Sequence, residues 1–139
     1  MGGYLLFEYG ILSVIIYFFS ATLFKGTISY FYMGEALTGV GQNDDAAVAY
    51  KTSVILDDEY IKAYYKLGLT YFTLKEYDKA VESFRKGLSL NPKNGPEFFY
   101  HLGRSHAAAG DYESAKNAAI EYKEIFENRF YLELQNHDI

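Results

Sequence analysis

The apolar positions change rhythm near residue 26. From Tyr4 to Phe24 the chain is apolar almost without a break, 16 of 21 residues, and Glu8 is its one charge. Beyond it, apolar residues return every three or four positions among charged ones, the period of a helix with one buried face. The first stretch predicts one apolar helix: 21 residues rising about 1.5 Å each come close to the roughly 30 Å of a bilayer core. The second predicts amphipathic helices parted by turns at Gly39 to Asn43, Lys75 to Asp78 and Gly110 to Asp111. Asp78 and Asp111 are placed to cap the helices that follow. Asn91, Pro92, Asn94, Gly95 and Pro96 make a stronger break.

The second region repeats itself. Gly34, Gly68 and Gly103 are spaced 34 and 35 apart, and Ala46, Ala80 and Ala115 each follow their glycine by twelve. A glycine opposite an alanine lets two helices approach closely, and aromatic rings fill the space around the contact. One such pair cannot bury its apolar face, so about three stack together. The expectation is an all-α solenoid of three antiparallel helix pairs over residues 27–129, with Tyr71 and Phe84 in its core. The units are 27–60, 61–95 and 96–129. Residues 1–26 precede them as an apolar helix. Residues 130–139, with Leu132 and Leu134, prolong the last helix and cover the end of the stack.

The middle unit, with Tyr64, Leu67, Gly68, Tyr71, Ala80, Phe84, Gly87 and Pro92, resembles the tetratricopeptide repeat family. That family sets an aromatic at position 4, Leu-Gly at 7 and 8, an aromatic at 11, Ala at 20, an aromatic at 24, a small residue at 27 and Pro at 32. The first unit matches at Tyr30, Met33, Gly34, Leu37, Ala46, Tyr50 and Ser53 and departs at Asp58. The third matches at Phe99, Leu102, Gly103 and Ala115 and departs at His106, Ala119, Tyr122 and Glu127. The resemblance implies a partner-binding groove along the first helices of the pairs. Carried onto this chain, its lining includes Phe31, Glu35, Lys62, Tyr65, Leu69, Phe72, Tyr100 and Arg104. It also argues against the carboxylate clamp of heat-shock co-chaperones. Phe31, Glu35, Lys66, Glu97 and His101 stand where that clamp needs basic and amide side chains, and two of them would repel an anion.

Composition narrows the chemistry. There are 15 Tyr and 11 Phe, which suits helix packing and aromatic contact surfaces. The absence of Cys excludes disulfides, thiolate zinc sites and thiol nucleophiles. The net charge is −5 and no basic stripe occurs, so a nucleic-acid footprint is lacking. His101 and His106 are five residues apart, about 140° around a helix, which does not suit a metal pair. His106 reads as a core or groove histidine and His137 as a solvated one. The carboxylates at Asp44, Asp45, Asp57, Asp58 and Glu59 fall in turns and read as solvated. Gly39 to Asn43 follows no strand and leads to no Gly-Lys-Ser/Thr, so it is no phosphate loop. No nucleophile arrangement emerges.

The expectation is a non-catalytic scaffold without metal or cofactor. Its partner is a protein or peptide, or neighbouring subunits of a membrane complex. Residues 4–24 are expected to span a membrane once, with Tyr4, Tyr9 and Phe24 near the interfaces. Gly10, Ser13 and Ser20 share one side of that helix, where another helix can approach. Lys25, by the positive-inside tendency, turns the repeats toward cytoplasm, stroma or matrix. The alternative is an accessory subunit held in a large membrane complex. An apolar anchor before three such repeats also resembles the small tetratricopeptide assembly factors of photosystem I.

Overall fold

Every turn inside a helix pair closes in the same way. The N–H of Gln42, Glu76 or Asp111 donates to the carbonyl five residues back, that of Leu37, Tyr71 or His106, each at 2.9 Å. The preceding N–H, of Gly41, Lys75 or Gly110, donates to a carbonyl three residues back at 3.0–3.1 Å. This is the Schellman arrangement, which needs a left-handed residue just past the helix end. Gly41 and Gly110 take it with φ of 79° and 85°, and Lys75 takes it without being glycine, at 62°.

The structure, a computed structural model, describes the backbone of residues 2–92 and 95–137 and the side chains of residues 11–92 and 95–128. Its six helices are α1 (Gly2–Gly39), α2 (Asn43–Leu56), α3 (Ile61–Thr73), α4 (Tyr77–Leu90), α5 (Pro96–Ala108) and α6 (Tyr112–His137). No strand occurs among the described residues. The helices pair as α1–α2, α3–α4 and α5–α6, and each pair packs on the next through α2–α3 and α4–α5. The three-pair solenoid expected from the periodicity is the fold.

Two rings lock the first two pairs. Tyr50 and Phe84 are fully buried, over Gly34 and Gly68 respectively. One core cluster gathers Phe31, Tyr50, Val54, Ala63 and Leu67; the other gathers Phe84, Leu88, Phe98, Phe99 and Leu102. Tyr71 is partly buried and touches both.

Three details differ from the sequence pattern. First, the helix is continuous where the pattern places a boundary at residue 26. Lys is a good helix former and one Gly costs only about 1 kcal/mol, so nothing there stops α1. Packing begins at once: Thr27 is fully buried and its carbonyl accepts from Ser53 Oγ at 2.8 Å. Second, Asp78 does not cap α4. Glu76 precedes that helix without a side-chain cap and pairs with Lys79 instead; Asp78 lies inside the first turn, where a carboxylate still favours the helix dipole. Asp111 does cap, accepting from the Ser114 N–H at 3.0 Å. Third, Tyr30 and Met33 sit at positions that the next two units bury or half-bury, yet are exposed, because no earlier repeat stacks on α1. At the other end, α6 runs on as one helix to His137. The contributions expected of Tyr4, Glu8, Tyr9, Gly10, Leu132, Leu134 and His137 lie outside the described side chains, and Asn94 outside the described backbone.

Among the described residues, Ile11–Gly39 of α1 is long and apolar enough to cross a membrane, by length and composition. Its residues 11–20 are all exposed.

Candidate functional site

The face made by α1, α3 and α5 carries the residues expected to line a groove, but presents them unequally. Phe31 is 6% exposed and belongs to the core, held by Tyr50 and Tyr60 with ring centroids at 5.8 and 5.3 Å. Its ring is therefore enclosed and not offered to a ligand. Glu35 is engaged by Lys66 at 2.6 Å across the α1–α3 interface, and this bond raises the lysine's pKa. Lys62 is exposed and Leu69 is half-buried against the second core cluster.

Tyr65 is half-buried among rings. It lies 5.0 Å from Phe98, 5.7 Å from His101 and 6.0 Å from Phe84, and burial raises its hydroxyl pKa. His101 stacks on Phe84 at 5.7 Å. Burial, reinforced by Arg104 and opposed by Glu97, pushes the His101 imidazole below its ordinary value. Farther along, the Arg104 guanidinium lies over Phe72 at 4.9 Å and over Tyr100 at 5.6 Å. Such contacts hold a guanidinium in place while its N–H groups stay in water. Tyr100 is 61% exposed. Lys62, Tyr100 and Arg104 thus form the open part of this face, and Tyr65, Leu69 and Phe72 its partly covered floor.

Next to them a groove of about 560 Å³ opens between α5 and α6, lined by Tyr100, Gly103, Arg104, Ala115, Ala119 and Tyr122 among others. The α6 half of this groove was not among the residues expected from sequence. Its signal was nevertheless present: Ala119 and Tyr122 are the places where the third unit departs from the repeat pattern.

His106 is buried, with Nδ1 3.4 Å from an Asp111 carboxylate oxygen and Nε2 3.5 Å from the Arg85 guanidinium. It ties the end of α5 to the start of α6 and the side of α4, as a core histidine does. No group of three His, Asp or Glu side chains converges to hold a metal among the described residues. The arrangement suits apolar and aromatic contact with isolated charges for register.

Comparison with known proteins agrees with the geometry. The tetratricopeptide repeat family matches residues 61–94. A small glutamine-rich tetratricopeptide repeat-containing protein 2 of Mycosarcoma maydis is 36% identical over 59 residues, which are 42% of this chain and 17% of that protein. The chain thus spans under a fifth of the length of that relative. The crystal structure of MamA superposes with a TM-score of 0.71 at 26% identity, over 76% of this chain and 61% of that one. The type III secretion chaperone SycD of Yersinia enterocolitica, in complex with a peptide of the translocator YopD, superposes with a TM-score of 0.66 at 20% identity, over 78% and 83%. The chain is similar to these in fold. Its repeats are tetratricopeptide repeats, a protein-interaction scaffold of a generally non-catalytic kind.

Proposed function

We propose that this tetratricopeptide-repeat protein is a membrane-anchored adaptor or assembly factor. It holds a protein partner on its α1–α3–α5 face while residues 4–24 sit in the bilayer. One observation carries the anchoring. Ile15, Ile16, Phe18 and Phe19 are all more than half exposed on a helix that runs unbroken into the first repeat. A water-soluble chain has little reason to leave so continuous an apolar surface uncovered.

Helix continuity gives the anchor a consequence. Thr27 is already buried against α2, three residues after Phe24. The repeats therefore stand at the membrane surface with no flexible linker, and α1 sets their orientation. A rigid coupling of this kind suits a scaffold that presents its face to other membrane proteins. The peptide bound in the similar SycD structure supports reading this fold as one that holds a peptide partner.

The test is fractionation and capture with the full chain. Native membranes are expected to retain it through an alkaline carbonate wash, and detergent to release it. The double variant Ile15→Glu, Phe18→Glu is expected to move to the soluble fraction with its repeats folded. A wild-type chain that is soluble and monomeric without detergent overturns the anchor. Recovery of a fixed complex of constant composition turns the reading into that of an accessory subunit.

A further inference from the structure

The groove at the end of the third repeat is the third copy of a surface whose first two copies are each filled by a helix. On the first pair lies α3, with Ala63 buried in the cluster around Tyr50 and, three residues on, Lys66 bonded to Glu35 at 2.6 Å. On the second pair lies α5. There Phe98 closes over Gly87, leaving no room for a Cβ, and packs at 5.0 Å from Tyr65. Three residues on, His101 meets Tyr65 of the inner helix α3 at 5.7 Å and stacks on Phe84. Each occupant thus brings one apolar anchor and, one helical turn later, a side chain that reads the inner helix of the host.

The third copy differs in three ways. Ala119 stands where Tyr50 and Phe84 stand in the first two, so the central ring of the host is missing and about 560 Å³ stays open. Tyr122 stands where Ser53 and Gly87 stand, and lines the groove beside it. Arg104 stands where Glu35 stands in the first, exposed and held over Phe72 and Tyr100. The cavity therefore asks its occupant for the missing bulk, and the guanidinium asks for a carboxylate one turn away.

We propose that this groove binds an amphipathic α-helix of a partner protein, with a bulky apolar residue seated over Ala119 and an acidic residue three positions later paired with Arg104. The proposal rests on the reading of the chain as a partner-holding scaffold and names what that scaffold recognises. Two other occupants fit poorly. A second copy stacked in register would offer α1, which has Ser29 and Tyr32 at the two positions. Neither fills the cavity nor neutralises Arg104. The chain's own α6 continues straight to His137 and does not turn back over the groove.

The probe is a stapled, end-capped peptide with the 13-residue sequence of α5 carrying His101→Glu, which sets a phenylalanine and a glutamate in the required register. It is titrated by fluorescence anisotropy onto the full chain in detergent micelles. Saturable binding is expected. Ala119→Phe, which fills the cavity from an exposed position, is expected to weaken it at least tenfold with the thermal melt unchanged. Arg104→Glu is expected to weaken it about tenfold, and a peptide carrying His101→Lys to restore binding to that variant.

Absence of saturable binding to the wild-type chain, or equal binding by Ala119→Phe, overturns the proposal. Failure of the charge swap to rescue overturns its acidic half. A concentration-dependent dimer that Ala119→Phe abolishes overturns it in favour of a second copy. A native partner captured equally by wild type and Ala119→Phe leaves the scaffold standing and removes this groove from its function.

Discussion

Gly68 lies so close to Phe84 that a Cβ on it would stand 2.6 Å from the ring's Cε1. The same distance separates a Cβ on Gly34 from Tyr50, whereas one on Gly103 would meet nothing nearer than 3.6 Å. The repeated glycine is thus a steric necessity in two units and a vacancy in the third, because Ala119 carries no ring.

Alanine substitution should separate these cases. In Gly68→Ala the buried ring has nowhere to go, and overpacking costs about 1–3 kcal/mol. Better helix propensity returns only about 1 kcal/mol, so the net effect is a loss. Gly103→Ala meets ordinary contacts and should gain up to about 1 kcal/mol. Urea unfolding midpoints on the two variants check the opposite signs.

Lys75 occupies the left-handed site that glycine fills in the other two turns. A side chain there costs about 1 kcal/mol or more. Lys75→Gly should therefore raise stability by about that amount, and Gly41→Ala or Gly110→Ala should lower it similarly. Thermal melts of the three variants are the measurement. A neutral Lys75→Gly would show that lysine bears no strain in this turn.

Rings on the shared face should show graded costs. Phe84→Ala removes a fully buried ring and should cost about 3–5 kcal/mol. Tyr65→Ala, half-buried against Phe84 and Phe98, should cost less but still be visible in the melt. Tyr100→Ala, largely exposed, should stay within about 0.5 kcal/mol. Tyr65 is thus floor and Tyr100 open surface, and only the second offers a clean test of partner binding.

Stability should fall in mild acid. His101 has a lowered pKa through burial beside Arg104, so the unfolded chain binds its proton more readily than the folded one. The penalty is absent above the unfolded value of about 6.5, grows as pH falls below it and levels off once the folded value is passed. His101→Phe should flatten the melting temperature between about pH 7 and pH 5. Asp111 acts lower. Its pKa is depressed mainly by the bonds with Ser114, so its contribution disappears only below about pH 4.

The sequence by itself determined the pairs and their order. The glycine and alanine spacings and the helical period are local and repeat three times, and each repetition supports the others. The turns were legible too, since Gly41, Gly110 and Asp111 are residues whose own backbone or side chain dictates the geometry. It did not reveal which rings are open. Phe31 and Tyr100 hold equivalent positions in their repeats, yet one is enclosed and the other exposed. Tyr30 and Tyr64 likewise differ, because α3 has a pair stacked before it and α1 has none. Only the tertiary structure decided such cases, since the burial of a residue depends on what packs beside it, and that neighbour lies about 30 residues away or is missing from the stack. The groove over Ala119 is the same effect in the third pair, on which no further helix of the described residues packs.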